Sequence, residues 1–229
     1  MNSEIRSGFR AAVPILVGYF PIAMTFGLIA KNMDTGWVQA CAMSVFVFAG
    51  ASQFMALNLI GSGIGFGQIL MATLLLNFRH FLMSASLSSK IERQARFLPL
   101  ISFGITDETF AVASTQNREL KVPFMIGLEA TAYTSWVVGT VVGYGLGEIL
   151  PDAVQKSLGI SLYALFIAIL IPEVKRSART GLIALTAGLS HMVLGYVRVF
   201  APGWNLIIAI LAGASLGAAL YKRRPGGIS

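Results

Sequence analysis

Stretches of about 20 apolar residues joined by short connectors leave this chain few folds to choose from. Eight stand out, at roughly 12–30, 38–60, 66–88, 97–115, 122–147, 157–171, 178–198 and 204–221. A helix needs about 20 apolar residues to cross a hydrocarbon core of roughly 30 Å. Composition agrees: 12% of residues are charged and 55% hydrophobic, with mean hydropathy +0.74, whereas soluble domains carry about 25% charge. The expectation is an all-α, polytopic membrane helix bundle. It forms one integral membrane domain over residues 1–229, with almost no chain left for a soluble part. The first stretch follows Arg6 and Arg10, contains Pro14 and Pro21 and reaches Lys31 without a small-residue cleavage site; it reads as a retained span.

The net charge of +7 comes from basic residues at segment ends, which points to membrane orientation rather than nucleic acid. With the single Cys41 no internal disulfide can form, and that residue reads as a small apolar side chain. A weak internal repeat relates about 12–115 to about 122–221: "LLLNFRHFLM" against "LTAGLSHMVL" and "WVQACAMS" against "AVQKSLGI". Charge counting bears on it. With eight spans and a cytoplasmic N-terminus, 10 basic residues lie inside and 6 outside. If the second and sixth segments are broken or re-entrant instead, 12 lie inside and 4 outside, a better fit to the positive-inside bias. That arrangement has about six full spans and two broken segments. Its halves are inverted repeats, as in many secondary transporters, and both termini are cytoplasmic.

Polar residues inside the spans carry the chemistry. In "ATLLLNFRHFLMSASL", Arg79 lies about 14 Å along the helix from Ser88, near mid-bilayer, where a guanidinium needs a partner or a wet cavity. Asn77, His80 and Ser84 share one face, with Arg79 at its edge. The fourth segment offers partners. Asp107 and Glu108 fall near the centre of "FGITDETFAVAS", beside a polar stripe of Ser102, Thr106, Thr109 and Ala113. One carboxylate can pair with Arg79 while the other faces a cavity, and a carboxyl at that depth is a candidate proton carrier. A purely structural bridge between Arg79 and either acid is the plainer alternative.

In the second segment "FAGASQF" interrupts an apolar run at Gly50, Ser52 and Gln53. A break there is tolerated only where protein or water lines it, and the N-terminus of the following half-helix would attract a carboxylate. An unbroken span with Gly and Ala at a packing face remains the alternative. In the fifth segment Glu129, Tyr133, Trp136 and Thr140 form one helical stripe. Glu129, about 10 Å in from Pro123, is expected to snorkel or to pair with Arg118 or Lys121. His191 reads as a packing hydrogen-bond donor. No metal-ligand set or nucleotide-binding loop appears, and no cofactor is expected.

"AGASQF", "NFRH" and "GITDETFA" together, in this order and spacing, resemble the AzlC family, the large subunit of two-component branched-chain amino-acid exporters. The resemblance implies an inner-membrane exporter of hydrophobic amino acids such as valine, leucine, isoleucine and methionine, working with a small AzlD-type membrane subunit. Gly50, Ser52, Gln53, Asn77, Arg79, His80, Thr106, Asp107 and Glu108 are the expected substrate-binding residues, and Asp107 and Glu108 the expected proton-coupling ones. The rival reading is an intramembrane serine hydrolase, with Ser52 in "GAS" as nucleophile and His191 as base.

Overall fold

The computed structural model describes residues 2–92, 97–116, 119–147, 167, 170–171, 174–197 and 202–220. They are helical apart from short connectors and one isolated bridge between Ile91 and Leu120. The helices are α1 (Asn2–Asn32), α2 (Trp37–Phe46), α3 (Gly50–Gly61), α4 (Phe66–Ser88), α5 (Leu98–Gly104), α6 (Asp107–Ser114), α7 (Val122–Leu146), α8 (Ala178–Val197) and α9 (Pro202–Leu220). Ser3–Asn32, Phe66–Ser88 and Ala178–Val197 are long and apolar enough to cross a bilayer. The expected segment 157–171 lies almost wholly outside the described residues. Two compact units emerge: Met1–Asn58 with Asn77–Leu162, and Leu59–Leu76 with Tyr163–Ser229.

The first unit is organised on α1 and α7, which touch along their lengths because glycines remove the side chains between them. A methyl at Gly8 would strike the Phe124 carbonyl, and one at Gly127 would strike that of Ile5. Farther along, Gly27 meets the Thr140 carbonyl and Gly143 that of Met24. Such close backbone approach is how helices pack where lipid offers no hydrophobic drive. The contacts advance together along both chains, so α1 and α7 run parallel. Glu4 and Lys121, paired at 3.2 Å, mark the end where both begin. Tyr144, whose hydroxyl donates to the Thr35 carbonyl, marks the other.

Two helical hairpins enter from opposite ends of this pair. The first starts at the Tyr144 end, where the Trp37 and Tyr144 rings meet at 5.2 Å. α2 runs inward until Phe48 reaches Tyr19 and Tyr133 at mid-length. The chain reverses at Val47–Ala49, with Phe48 at φ 44°. Such a conformation costs a bulky residue about 1–3 kcal/mol and persists only where packing enforces it; the rings around Phe48 supply that packing. α3 then returns alongside α2, with Gln53 Nε2 donating to Ser44 Oγ and Phe54 reaching Phe26. The second hairpin, α5 and α6, starts and finishes at the Glu4 end. Leu120 N–H donates to the Lys90 carbonyl at 2.8 Å, and Lys90 Nζ donates to the Ser114 carbonyl. Its tip is Ile105–Thr106.

The break in the second segment is therefore present, and two sequence expectations change. The fourth segment is not a continuous span: its helices have 7 and 8 residues, about 10 and 12 Å long, and the chain reverses direction between them. Thr106 explains the break. Its hydroxyl accepts from Thr109 N–H and Thr109 Oγ1 accepts from Thr106 N–H, a reciprocal capping box that starts a new helix. Nor are the halves inverted as expected. A full fourth crossing would make α7 antiparallel to α1, and the two are parallel.

In the second unit α8 and α9 pack antiparallel. Gly213 and Gly217 of α9 approach Ile183 of α8, and Arg179 Nη1 donates to the Leu220 carbonyl.

Candidate functional site

The tips of the two hairpins meet beside Tyr19, halfway along α1. The Tyr19 ring packs edge-on to Trp136 at 5.3 Å and to Phe48 at 6.4 Å. Phe48 in turn contacts Phe103 and Tyr133. Each tip presents the start of its second helix to this centre. α3 begins at Gly50, where a side chain would run into the Trp136 indole. Its opening amides have no intrahelical partner, as at any helix start, except that Ala49 N–H donates to Gln53 Oε1 at 3.2 Å. α6 begins with Asp107 and Glu108, acids that suit the positive end of a helix.

Both acids are engaged. Arg79 Nη2 pairs with Asp107 Oδ2 at 2.9 Å, with the two side chains 40% and 34% exposed. The Tyr19 hydroxyl lies 2.7 Å from Thr106 Oγ1 and hydrogen-bonds Glu108 Oε2. A phenol has one proton and an ionised carboxylate only accepts, so Tyr19 then donates to Glu108 and accepts from Thr106. A second network holds the other tip: Asn77 Nδ2 donates to Ser52 Oγ at 3.1 Å, Ser52 Oγ to the Ala49 carbonyl, and Ser44 bridges Gln53 and Thr140.

Hydrogen-bonding capacity is left over here. Arg79 Nε, Trp136 Nε1 and Asn77 Oδ1 are buried with no partner among the described residues. Unmet buried donors and acceptors are costly, and this centre keeps both kinds beside an ion pair.

The structure thus brings together eight of the nine expected residues. Ser52, Gln53 and Asn77 form one network, Arg79 and Asp107 an ion pair, and Thr106 and Glu108 share Tyr19; Gly50 lies on Trp136. His80 instead lines a cavity of about 380 Å³ with Ser84, Ser88 and Ser102. The expected pairing of Glu129 at an interface is corrected: Lys121 pairs with Glu4, and Glu129 is 5% exposed. Arg118 lies outside the described residues. The stripe Tyr133, Trp136 and Thr140 does face this centre, through Val45, Gly50 and Ser44. Tyr19 is absent from the sequence expectation. Its signal is faint, a hydroxyl between two prolines in the middle of a span. The hydrolase reading finds no support, because the Ser52 hydroxyl is taken by Ala49 and Asn77 and His191 is exposed on α8.

Fold and site define the class: a helical integral membrane protein whose broken helices enclose a charged centre. The chain belongs to the AzlC protein family, whose model matches residues 14–150. It is 34% identical to an uncharacterized membrane protein of Archaeoglobus fulgidus over 94% of both chains. To the inner membrane protein YgaZ of Escherichia coli it is 32% identical, over 94% of this chain and 89% of that one. To the branched-chain amino acid transport protein AzlC of Bacillus subtilis it is 26% identical, over 91% and 84%. No solved structure gives a significant match.

Proposed function

We propose that this protein is a secondary transporter exporting branched-chain and similar hydrophobic amino acids, valine among them, across the bacterial inner membrane together with a small AzlD-type subunit. The observation that carries this reading is the pairing of unspent donors and acceptors with an ion pair between two helix breaks. A zwitterion needs both. Its carboxylate takes the Arg79 fork and the free amides at the start of α3. Its ammonium takes Asp107, Glu108 and Asn77 Oδ1. The aromatic wall of Phe48, Tyr133 and Trp136 suits an apolar side chain. The substrate replaces the Arg79–Asp107 contact with one contact to each partner, so neither charge is left bare.

The hairpins support the transport class. Discontinuous helices that meet near mid-membrane and enter from opposite ends are a transporter device. On this reading both hairpins are re-entrant. α1 with the first hairpin and α4 with the second form the inverted pair, on a smaller scale than the sequence repeat implies. Transport against a gradient needs an energy source, and proton coupling through Asp107 or Glu108 completes the reading. The test is efflux of labelled valine from cells expressing the chain with and without the small subunit. Efflux that depends on the chain and falls in Arg79→Ala supports the proposal; efflux equal to that of empty cells sinks it. Proton dependence fully retained in both Asp107→Asn and Glu108→Gln would remove those acids from coupling.

A further inference from the structure

We propose that Glu129 is a second proton-binding group, lining an apolar cavity that adjoins the charged centre through Phe103 and Tyr133. The cavity measures about 300 Å³ and lies between α5 and α7, walled by Leu100, Phe103, Ile126, Ala130 and Tyr133 with Glu129 among them. Glu129 is 5% exposed, its Oε1 is buried, and neither oxygen has a hydrogen bond or ion pair among the described residues. Gly104 makes the room: a Cβ at that position would collide with the Glu129 carboxyl.

A carboxyl so placed must be neutralised by something. Among the described residues, the charged groups on the elements packed against α7 are either paired with other groups or exposed. Glu4 holds Lys121, Asp107 holds Arg79, and Glu108 holds Tyr19. Arg6 and Arg10 are exposed on α1, Lys31 lies over the Tyr144 ring, and α2 and α5 carry no charged residue. The Tyr133 hydroxyl donates to the Val45 carbonyl at 3.0 Å, and Tyr144 to the Thr35 carbonyl. A metal cation would need several oxygen ligands, and one carboxyl in an apolar wall cannot supply them. A proton is the cation that a single carboxyl holds alone. Intramembrane acids of this kind serve as proton relays. The role of this proton in transport rests on the exporter reading; its binding does not.

The test uses dicyclohexylcarbodiimide, an apolar reagent that reacts with protonated carboxyls out of water. It is applied to the purified full chain in lipid vesicles, and the adduct is located by peptide mass spectrometry. The expected result is an adduct on Glu129 at acidic pH, lost at alkaline pH. No adduct on Glu129 while Asp107 or Glu108 is labelled, or an adduct indifferent to pH, overturns the proposal. In cells, Glu129→Gln is expected to lose most of the stimulation of valine efflux by a pH gradient while its KM for valine stays within twofold. Unchanged stimulation overturns the coupling role. If Glu129→Gln does not fold, the labelling of the wild-type chain still decides, and it does so even if valine is not the substrate.

Discussion

Thr106 does two jobs at one atom. Its hydroxyl caps α6 through the Thr109 amide and meets the Tyr19 hydroxyl that holds Glu108. Losing a cap costs about 1 kcal/mol, so Thr106→Ala should lower the melting temperature of the detergent-solubilised protein, while Thr106→Ser should keep it. Equal melting of all three proteins would show that the cap contributes nothing. The Arg79–Asp107 pair calls for a different experiment, since a bridge that only joins helices and one that yields to substrate look alike at rest. Removing one partner leaves the other unbalanced, and removing both relieves that. We expect Arg79→Ala with Asp107→Ala to regain much of the stability lost in either single variant but to export no valine. Export restored along with stability would make the pair structural.

Among the elements, α1 and α7 set the frame on which both hairpins hang. Their approach depends on glycine at particular heights, because a side chain at Gly27 or Gly143 would overlap the backbone of the facing helix. Overpacking of this kind costs about 1–3 kcal/mol, and here the obstacle is backbone that cannot rotate away. Gly143→Leu should therefore reduce the yield of folded protein in a fluorescence-detected sizing assay. Gly18→Leu, at a position where nothing lies within 4 Å, should not. Equal loss from both, or from neither, would contradict the packing described. The hairpins differ in how far the sequence reveals them. Gly50 and the polar residues after it announce the first. The second is set by a threonine pair whose geometry reads equally well as an unbroken polar stripe.

At the scale of the molecule, the direction of the chain follows from which ends lie together. Lys90, Leu120, Glu4 and Lys121 all gather at one end of the α1–α7 pair, and Trp37 sits at the other. In a Cys41→Ser background, Ser3→Cys and Lys90→Cys should be labelled by an impermeant thiol reagent from the same side of the membrane, and Thr35→Cys from the opposite side. The positive-inside bias predicts that the first side is the cytoplasmic one. Labelling of Ser3→Cys and Lys90→Cys from opposite faces would rule out the re-entrant first hairpin.

The sequence by itself determined the solvent of this protein and the chemistry it hides there. Long apolar windows require a bilayer, and Arg79, Asp107 and Glu108 inside them require one another, because an isolated charge in hydrocarbon is too costly to keep. The stretches "AGASQF", "NFRH" and "GITDETFA" were enough to point to the family and to Gly50, Ser52, Gln53, Asn77, Arg79, Thr106, Asp107 and Glu108, which cluster. Only the tertiary structure decided which acid takes Arg79, that Tyr19 of α1 holds the other, that Glu129 is buried without a partner among the described residues, and that α1 and α7 run parallel. Hydropathy measures how apolar a segment is and is blind to where it turns back. The choice of partners among polar residues is resolved by the helix faces that glycine contacts and capping hydrogen bonds bring into register, and those exist only once the chain has folded.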